Sequence, residues 1–136
     1  FHPRYLIIMT GSNSLRGWVS GESVISDLKG IREKCEDNGI TPIFMTLPPV
    51  NPANIKRAFD EPTAEGWRAE MAKVNQWIRT TTEIDGCVDF DRAVCNPAHP
   101  TAFADGFDSG DHLHPSAAAY ARMAQEVPAV LIQKER

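Results

Sequence analysis

The residue order predicts an α/β protein of three layers, α/β/α, with helices on both faces of a parallel sheet. Short apolar runs alternate with segments of helical periodicity, the pattern produced when parallel strands are joined through crossover helices. The apolar runs are nearly continuous, as in strands covered on both faces. The composition is that of a folded chain, with 136 residues of which 42% are hydrophobic and 24% charged. That length is enough for one domain with an ordinary core.

Each element has its own signal. "YLIIMT", Tyr5 to Thr10, ends at Gly11 and reads as a first strand buried on both faces. Val24, Leu28, Ile31 and Cys35 follow at helical steps, and Asn38-Gly39 ends that helix. Ile43 to Leu47 is a second buried strand, closed by Pro48 and Pro49, which have no backbone donor to give. Asn51 to Pro62, rich in proline, asparagine and charge, is expected as a surface loop. Trp67, Met71, Val74 and Ile78 repeat the helical spacing, which predicts a second helix from Thr63 to about Thr81. "GCVDF", Gly86 to Phe90, reads as a third strand, and Asp91 to Gly110 as irregular. A last helix begins near Ser116, its N-cap, and is expected to turn Tyr120, Met123 and Val127 inward.

The first strand is the most apolar, yet no earlier strand in the chain can pair with it. It is therefore expected at an edge, where a long apolar strand is an aggregation hazard. One or more N-terminal strands are expected to be absent from the chain or supplied by another chain. Residues 1–136 then read as the C-terminal part of a single domain whose sheet is incomplete at its N-terminal side.

The formal net charge of -4 and the pI near 5.5 give no electrostatic reason to expect nucleic acid as a partner. No apolar run is long enough to span a bilayer. Cys35, Cys87 and Cys95 show no CxxC spacing and read as free thiols packed as small apolar groups, with a Cys87–Cys95 bridge as the alternative in an exported protein.

The chemistry concentrates in two stretches. Open parallel sheets bind ligands outside the carboxyl ends of their strands. "TGSNSL", Thr10 to Leu15, follows the first strand and puts Asn13 at that crevice, while "DSGDHLHPSAAAY", Asp108 to Tyr120, folds back toward it before the last helix. His114 stands three residues after Asp111. A carboxylate so placed takes the Nδ1 proton, fixes the tautomer and leaves Nε2 as a general base. A side-chain amide such as that of Asn13 donates to a developing oxyanion. Asp111, His114 and Asn13 together supply acyl-transfer chemistry except for its nucleophile.

"GSNS" followed far downstream by "DHLHP" and an alanine-rich helix resembles the third and fifth sequence blocks of the SGNH (GDSL-type) hydrolases. "TPIFMTLPPVN" and "VDFDRAV" resemble connecting segments of that family, so the likeness runs along nearly the whole chain. The resemblance implies a flavodoxin-like three-layer sheet and a serine esterase or acylhydrolase that cleaves carboxylic esters without metal or organic cofactor. Small-molecule, carbohydrate or lipid esters are the implied substrates. It assigns Asp111 and His114 as the orienting acid and base, and Asn13 as an oxyanion donor. Members commonly carry aspartate after that asparagine, where this chain has Ser14. The family's nucleophile lies in a Gly-Asp-Ser block on an earlier strand, and no serine of this chain stands in such a block. The chain alone is therefore expected to be inactive, and its free edge to self-associate or to pair with the missing segment.

Simpler readings stand beside these. Asp111 and His114 also fit a capping carboxylate and a surface histidine, and Asn13 a turn residue. His112 with Asp111 and His114 is a three-ligand metal alternative. His112 otherwise points to solvent or steadies the loop, Asp108 and His112 both read as bystanders to the chemistry, and His99 is a loop histidine. Ser12 is the nearest alternative nucleophile, although nothing in the sequence builds it a strand-to-helix elbow. Asp89 and Asp91 fit a solvated strand end with a cap better than a glycosidase acid pair. Trp67 and Trp77 read as packing, and Trp18 as a candidate pocket wall. The rival from another class is a non-catalytic binding or assembly module on a hydrolase scaffold.

Overall fold

A computed structural model describes residues 2–16, 19–50, 61–84 and 86–128, without the side chains of 61–64. Strands β1 (Tyr5–Ile8), β2 (Thr41–Met45) and β3 (Cys87–Val88) form a parallel sheet in the order β1-β2-β3. β2 is central, and its alternating side chains divide the interior into two cores. Phe44 joins Leu28, Trp67, Val74 and Ile78 on one face, whereas Ile43 and Met45 join Val88, Val94, Ala119 and Met123 on the other. Helices α2 (Gly21–Asp37) and α3 (Glu61–Thr80) cover the first face. Helices α4 (Phe90–Val94) and α5 (Ala117–Glu126) cover the second. This is the three-layer arrangement of the flavodoxin-like class.

The helices form where the periodicity places them. In α2, Val24, Leu28 and Cys35 are buried, and Ser20 caps the start by accepting from the Ser23 N–H at 3.2 Å, so the helix begins at Gly21. It ends where the N–H groups of Asn38 and Gly39 donate back to Cys35 and Glu36 at 3.0 and 2.9 Å. In α3, Trp67, Met71, Val74 and Ile78 are all buried. Phe44 meets Trp77 edge-on, with ring centroids 6.0 Å apart. Full burial of a side chain such as Leu28 or Phe44 contributes roughly 1.5–3 kcal/mol. Ser116 caps α5 by accepting from the Ala119 N–H at 3.2 Å.

Several expectations need correction. β1 is an edge strand and is not buried on both faces: Leu6 and Ile7, which point to opposite sides, are each 41% exposed. α3 begins at Glu61 rather than Thr63, and residues 51–60 of the expected loop lie outside the described residues. The third strand is only Cys87–Val88, because Asp89 caps α4 through the Arg92 N–H at 3.2 Å and takes Phe90 into that helix. Asp91 to Gly110 is not irregular throughout. It holds the rest of α4 and an antiparallel pair, β4 (Cys95–Asn96) and β5 (His99–Phe103). Asn96 Oδ1 makes the turn by accepting from the Ala98 and His99 N–H groups at 2.9 and 3.3 Å. Tyr120 is 51% exposed rather than inward, because Ala119 and Met123, one turn apart, take the buried face of α5. All three cysteines are free, and Cys35 alone is fully buried, while Cys87 is exposed.

Asp89 and Asp91 are not a solvated edge, although Asp89 does cap a helix. Arg79, in the last turn of α3, donates to both oxygens of Asp89 and to Asp91, each at 2.7 Å. The Thr46 hydroxyl, fully buried at the end of β2, donates to Asp89 at 3.0 Å and accepts from the Asp91 N–H at 2.9 Å. Burial pushes the Asp89 carboxyl up, but the bonds from Arg79, Arg92 and Thr46 outweigh it and hold the group below its ordinary value. At Asp91 burial prevails over Arg79 and raises the carboxyl.

Candidate active site

Three chain segments meet beyond the carboxyl ends of β1 and β2. The first leaves β1 through Gly11, whose φ of +116° is open to glycine, and where a Cβ would lie 2.7 Å from Val24 Cγ1. The chain then enters the short helix α1 (Ser12–Arg16), which Leu15, 3% exposed, anchors in the core. The second segment is Leu47 to Val50. Buried Asn75 of α3 holds it by accepting from the Leu47 N–H at 2.7 Å and donating to the Leu47 carbonyl at 2.9 Å. The third is the loop from Asp108 to Pro115, pinned by Ser109 N–H to the His114 carbonyl at 3.0 Å and Ser116 N–H to the Phe107 carbonyl at 2.7 Å.

Between them lies a cleft of about 250 Å³ whose walls include Ser12, Asn13, Leu47, Val50, Leu113, His114 and Tyr120. Asn13 and His114, drawn from positions a hundred residues apart in the chain, thus face one space. Ser12 is the first residue of α1 and also lines it, so a strand–turn–helix does surround Ser12, which the sequence reading had not anticipated. Trp18 lies outside the described residues.

His114 Nδ1 sits 2.6 Å from Asp111 Oδ2. The other oxygen, Oδ1, accepts from the His114 and Leu113 N–H groups at 2.8 and 2.9 Å and from the Ser109 hydroxyl at 3.0 Å. The imidazole first, then those two amides, hold the Asp111 carboxyl well below the usual carboxylate range. Asp111 is therefore ionised at neutral pH, and the Nδ1 contact requires the proton to be on Nδ1. Nε2 of neutral His114 then carries the lone pair.

A second pair, built alike, precedes the first. His112 Nδ1 lies 2.6 Å from Asp108 Oδ2, while Asp108 Oδ1 accepts from the Gly110 and His112 N–H groups at 2.7 and 3.0 Å. Asp108 is lowered as well: burial raises it, and these bonds outweigh burial. This pair lines a separate cavity of about 300 Å³ with Phe103, Asp105 and Gly106. Asp111, His112 and His114 do not converge on one point, since each imidazole is taken by a different aspartate. Among the described residues no group of three or more His, Cys, Asp or Glu side chains could hold a metal ion. His99 is exposed on β5.

The sequence reading missed the walls of the cleft. Leu47 and Val50 look like strand-end core, and Leu113 lies between the two histidines without any periodic signal. Tyr120 reads from its helical spacing as an inward residue, yet it stands exposed at the cleft.

An open α/β sheet with its crevice at the carboxyl ends of parallel strands, and an imidazole–carboxylate pair on the loop before the last helix, defines the class. Within it, the chain belongs to the GDSL-like lipase/acylhydrolase family, whose sequence profile matches residues 1–122. The fold is similar to that of a GDSL-like lipase from Bacteroides thetaiotaomicron, with a TM-score of 0.73 and 16% identity over 96% of this chain and 62% of that one. A proposed acylhydrolase from Bacteroides fragilis aligns with a TM-score of 0.72 and 18% identity, over 96% of this chain and 62% of that one. A proposed lipolytic protein of the G-D-S-L family from Desulfitobacterium hafniense gives 0.64 and 21%, over 91% of this chain and 63% of that one. The chain thus spans less than two thirds of each of these structures. No curated protein sequence matches it. Among the described residues no helix is long and apolar enough to cross a membrane.

Proposed function

We propose that this chain carries the base, the orienting acid and one oxyanion donor of a serine ester hydrolase, and that the nucleophilic serine lies outside its 136 residues. The observation that carries the reading is the 2.6 Å contact of His114 Nδ1 with Asp111 Oδ2, at the rim of the cleft that Asn13 also lines. In the reaction a serine Oγ attacks the ester carbonyl carbon while His114 Nε2 takes its proton. Asp111 stabilises the imidazolium, and the Asn13 amide donates to the tetrahedral oxyanion. His114 returns the proton to the departing alcohol, and water releases the acyl group by the same route. These steps need no metal or organic cofactor. Simple carboxylic esters, of small-molecule, carbohydrate or lipid origin, are the substrate class.

Residues 1–136 are on this reading the C-terminal part of one SGNH-type domain. The exposed edge of β1 supports pairing with an N-terminal strand, or with a second copy when that strand is lacking. The test is hydrolysis of p-nitrophenyl acetate combined with a fluorophosphonate probe. The chain alone is expected to show neither turnover nor a labelled serine. A longer chain with a Gly-Asp-Ser block before Phe1 is expected to show both, and to lose about 10²–10⁴-fold in rate on His114→Ala. Stoichiometric labelling of Ser12 or any other serine of this chain would sink the proposal of an outside nucleophile. A longer chain that carries the block yet neither turns over nor labels would favour a binding module on the same scaffold.

A further inference from the structure

We infer that Asp108 and His112 are positioning residues for the Asp111–His114 pair, acting through the backbone of the loop that joins them. The inference rests on the proposed roles of Asp111 and His114. Three observations carry it. His112 has φ +61°, and among the described residues it is the one non-glycine residue with positive φ. This left-handed conformation is uncommon outside glycine, although histidine tolerates it better than branched residues, so the contacts that hold it are informative.

The group that holds it is Asp108. Its Oδ1 accepts from the Gly110 and His112 N–H groups, and its Oδ2 meets His112 Nδ1, so one carboxylate grips His112 by both main chain and side chain. Asp108 is itself fixed at the loop's base by its bridge to Pro115.

The location of the strain gives it a purpose. His112 lies between Asp111 and Leu113, inside the short link from the carboxylate to its histidine. The left-handed turn reverses the chain there, so that the Leu113 and His114 N–H groups both point back at Asp111 Oδ1. With the backbone so bent, His114 Nδ1 reaches Oδ2 of the same carboxylate. A residue relaxed to negative φ at this position redirects both amides and loosens the imidazole contact. His112 lines a cavity apart from the cleft, so its effect on His114 travels through the backbone and not through the substrate space.

The readout is the imidazole of His114, followed by ¹⁵N and ¹H NMR in the 136-residue chain, where no nucleophile is needed. In the parent, neutral His114 is expected as the Nδ1–H tautomer, with slowly exchanging Leu113 and His114 amides. Asp108→Ala is expected to move His114 toward the Nε2–H form and to speed exchange of both amides at least tenfold, with the far-ultraviolet circular dichroism unchanged. His112→Gly, which accepts positive φ without strain, is expected to keep the parent's His114 signature. His112→Val, for which positive φ is a severe outlier, is expected to lose it.

Equal signatures for His112→Gly and His112→Val, or a parent-like His114 in Asp108→Ala, overturn the inference. Asp111→Asn serves as the reference arm. If it abolishes the Nδ1–H signal while Asp108→Ala does not, the positioning role fails and the base–acid pair stands. If Asp111→Asn leaves the signal in place, the reading of the pair itself fails.

Discussion

Replacing Asn75 with alanine removes the side chain that satisfies both main-chain groups of Leu47. The Leu47 N–H donates to Asn75 Oδ1 at 2.7 Å, and Asn75 Nδ2 donates to the Leu47 carbonyl at 2.9 Å. Asn75 is 5% exposed and Leu47 1%, so water does not freely take over either bond. Each buried backbone group left without a partner costs roughly 1–3 kcal/mol, which gives roughly 2–6 kcal/mol for the two. A cavity of about 200 Å³ adjoins Asn75, and partial rehydration from it pulls the expected loss to about 3 kcal/mol. Asn75→Asp keeps the acceptor and, while its carboxyl is neutral, offers an O–H to the Leu47 carbonyl in place of the lost N–H, so a loss well below that of Asn75→Ala is expected at low pH. Once ionised it has no donor left for the Leu47 carbonyl and adds a further carboxylate beside Asp91, so the deficit grows toward pH 7. Urea unfolding of parent and both variants at pH 7 and pH 4 reads these differences. An Asn75→Ala protein within 1 kcal/mol of the parent would refute the clamp, because two buried groups cannot be orphaned at so small a cost. Leu47 lines the cleft, so the same variant should also speed hydrogen exchange along its second wall.

Arg79→Met leaves Asp89 and Asp91 side by side without the cation that bridges them, Asp89 keeping as cation only the exposed Arg92 at 3.4 Å, and a loss of about 2–4 kcal/mol is expected at pH 7. Without Arg79 both carboxyls are expected to shift upward, Asp91 from a value burial has already raised, so the deficit should shrink as pH falls toward 4; a deficit independent of pH would exclude mutual repulsion as its cause. In the parent, Asp108 and Asp111 are both held below the ordinary carboxylate value. Their contribution is therefore fully present above about pH 4 and fades as pH falls through the lowered native values. Amide exchange at Leu113 and His114 should stay slow from pH 7 to 5, after correction for intrinsic rates, and lose its protection only below about pH 4. Loss of protection already at pH 6 would show that the loop is not held by ionised aspartates.

The frame of the fold was legible because burial repeats. Four apolar residues at helical steps in α3 all face the core, and the unbroken run of β2 is the central strand. β1 has the same apolar character and was misread as doubly covered, since residue type reports what a strand can bury and not what lies beside it. The elements between Phe90 and Phe103 escaped notice because they are short and set by single hydrogen bonds, such as the Asn96 turn, rather than by a repeating pattern. At the site, Asp111 and His114 could be singled out because three residues separate them, a local relation. Arg79 with Asp89 and Asp91, and Asn75 with Leu47, are contacts between elements far apart in the chain or on different layers, and no local pattern encodes them.

The cleft lies where the two cores end, and this decides how its parts depend on each other. Asn13 is carried by α1, which Leu15 fastens into the core shared by α2 and α3. His114 precedes α5, which Ala119 and Met123 fasten into the core on the other face. The Ser116 hydroxyl adds a bond to the Gly106 carbonyl at 2.7 Å, fixing the His114 loop to that same side. The proposed oxyanion donor is therefore held from the α2 and α3 side, whereas the base is held from both, since Leu113 beside His114 packs against that first core, and β2 is the strand that both cores share. Phe44 and Met45 enter opposite cores, while Thr46 ties the end of the strand to Asp89 and Asp91. Repacking one core displaces one half of the site against the other, because close-packed interiors pass strain along rather than absorb it. Substitutions at the end of β2 should thus disturb the geometry between Asn13 and His114 without touching either residue.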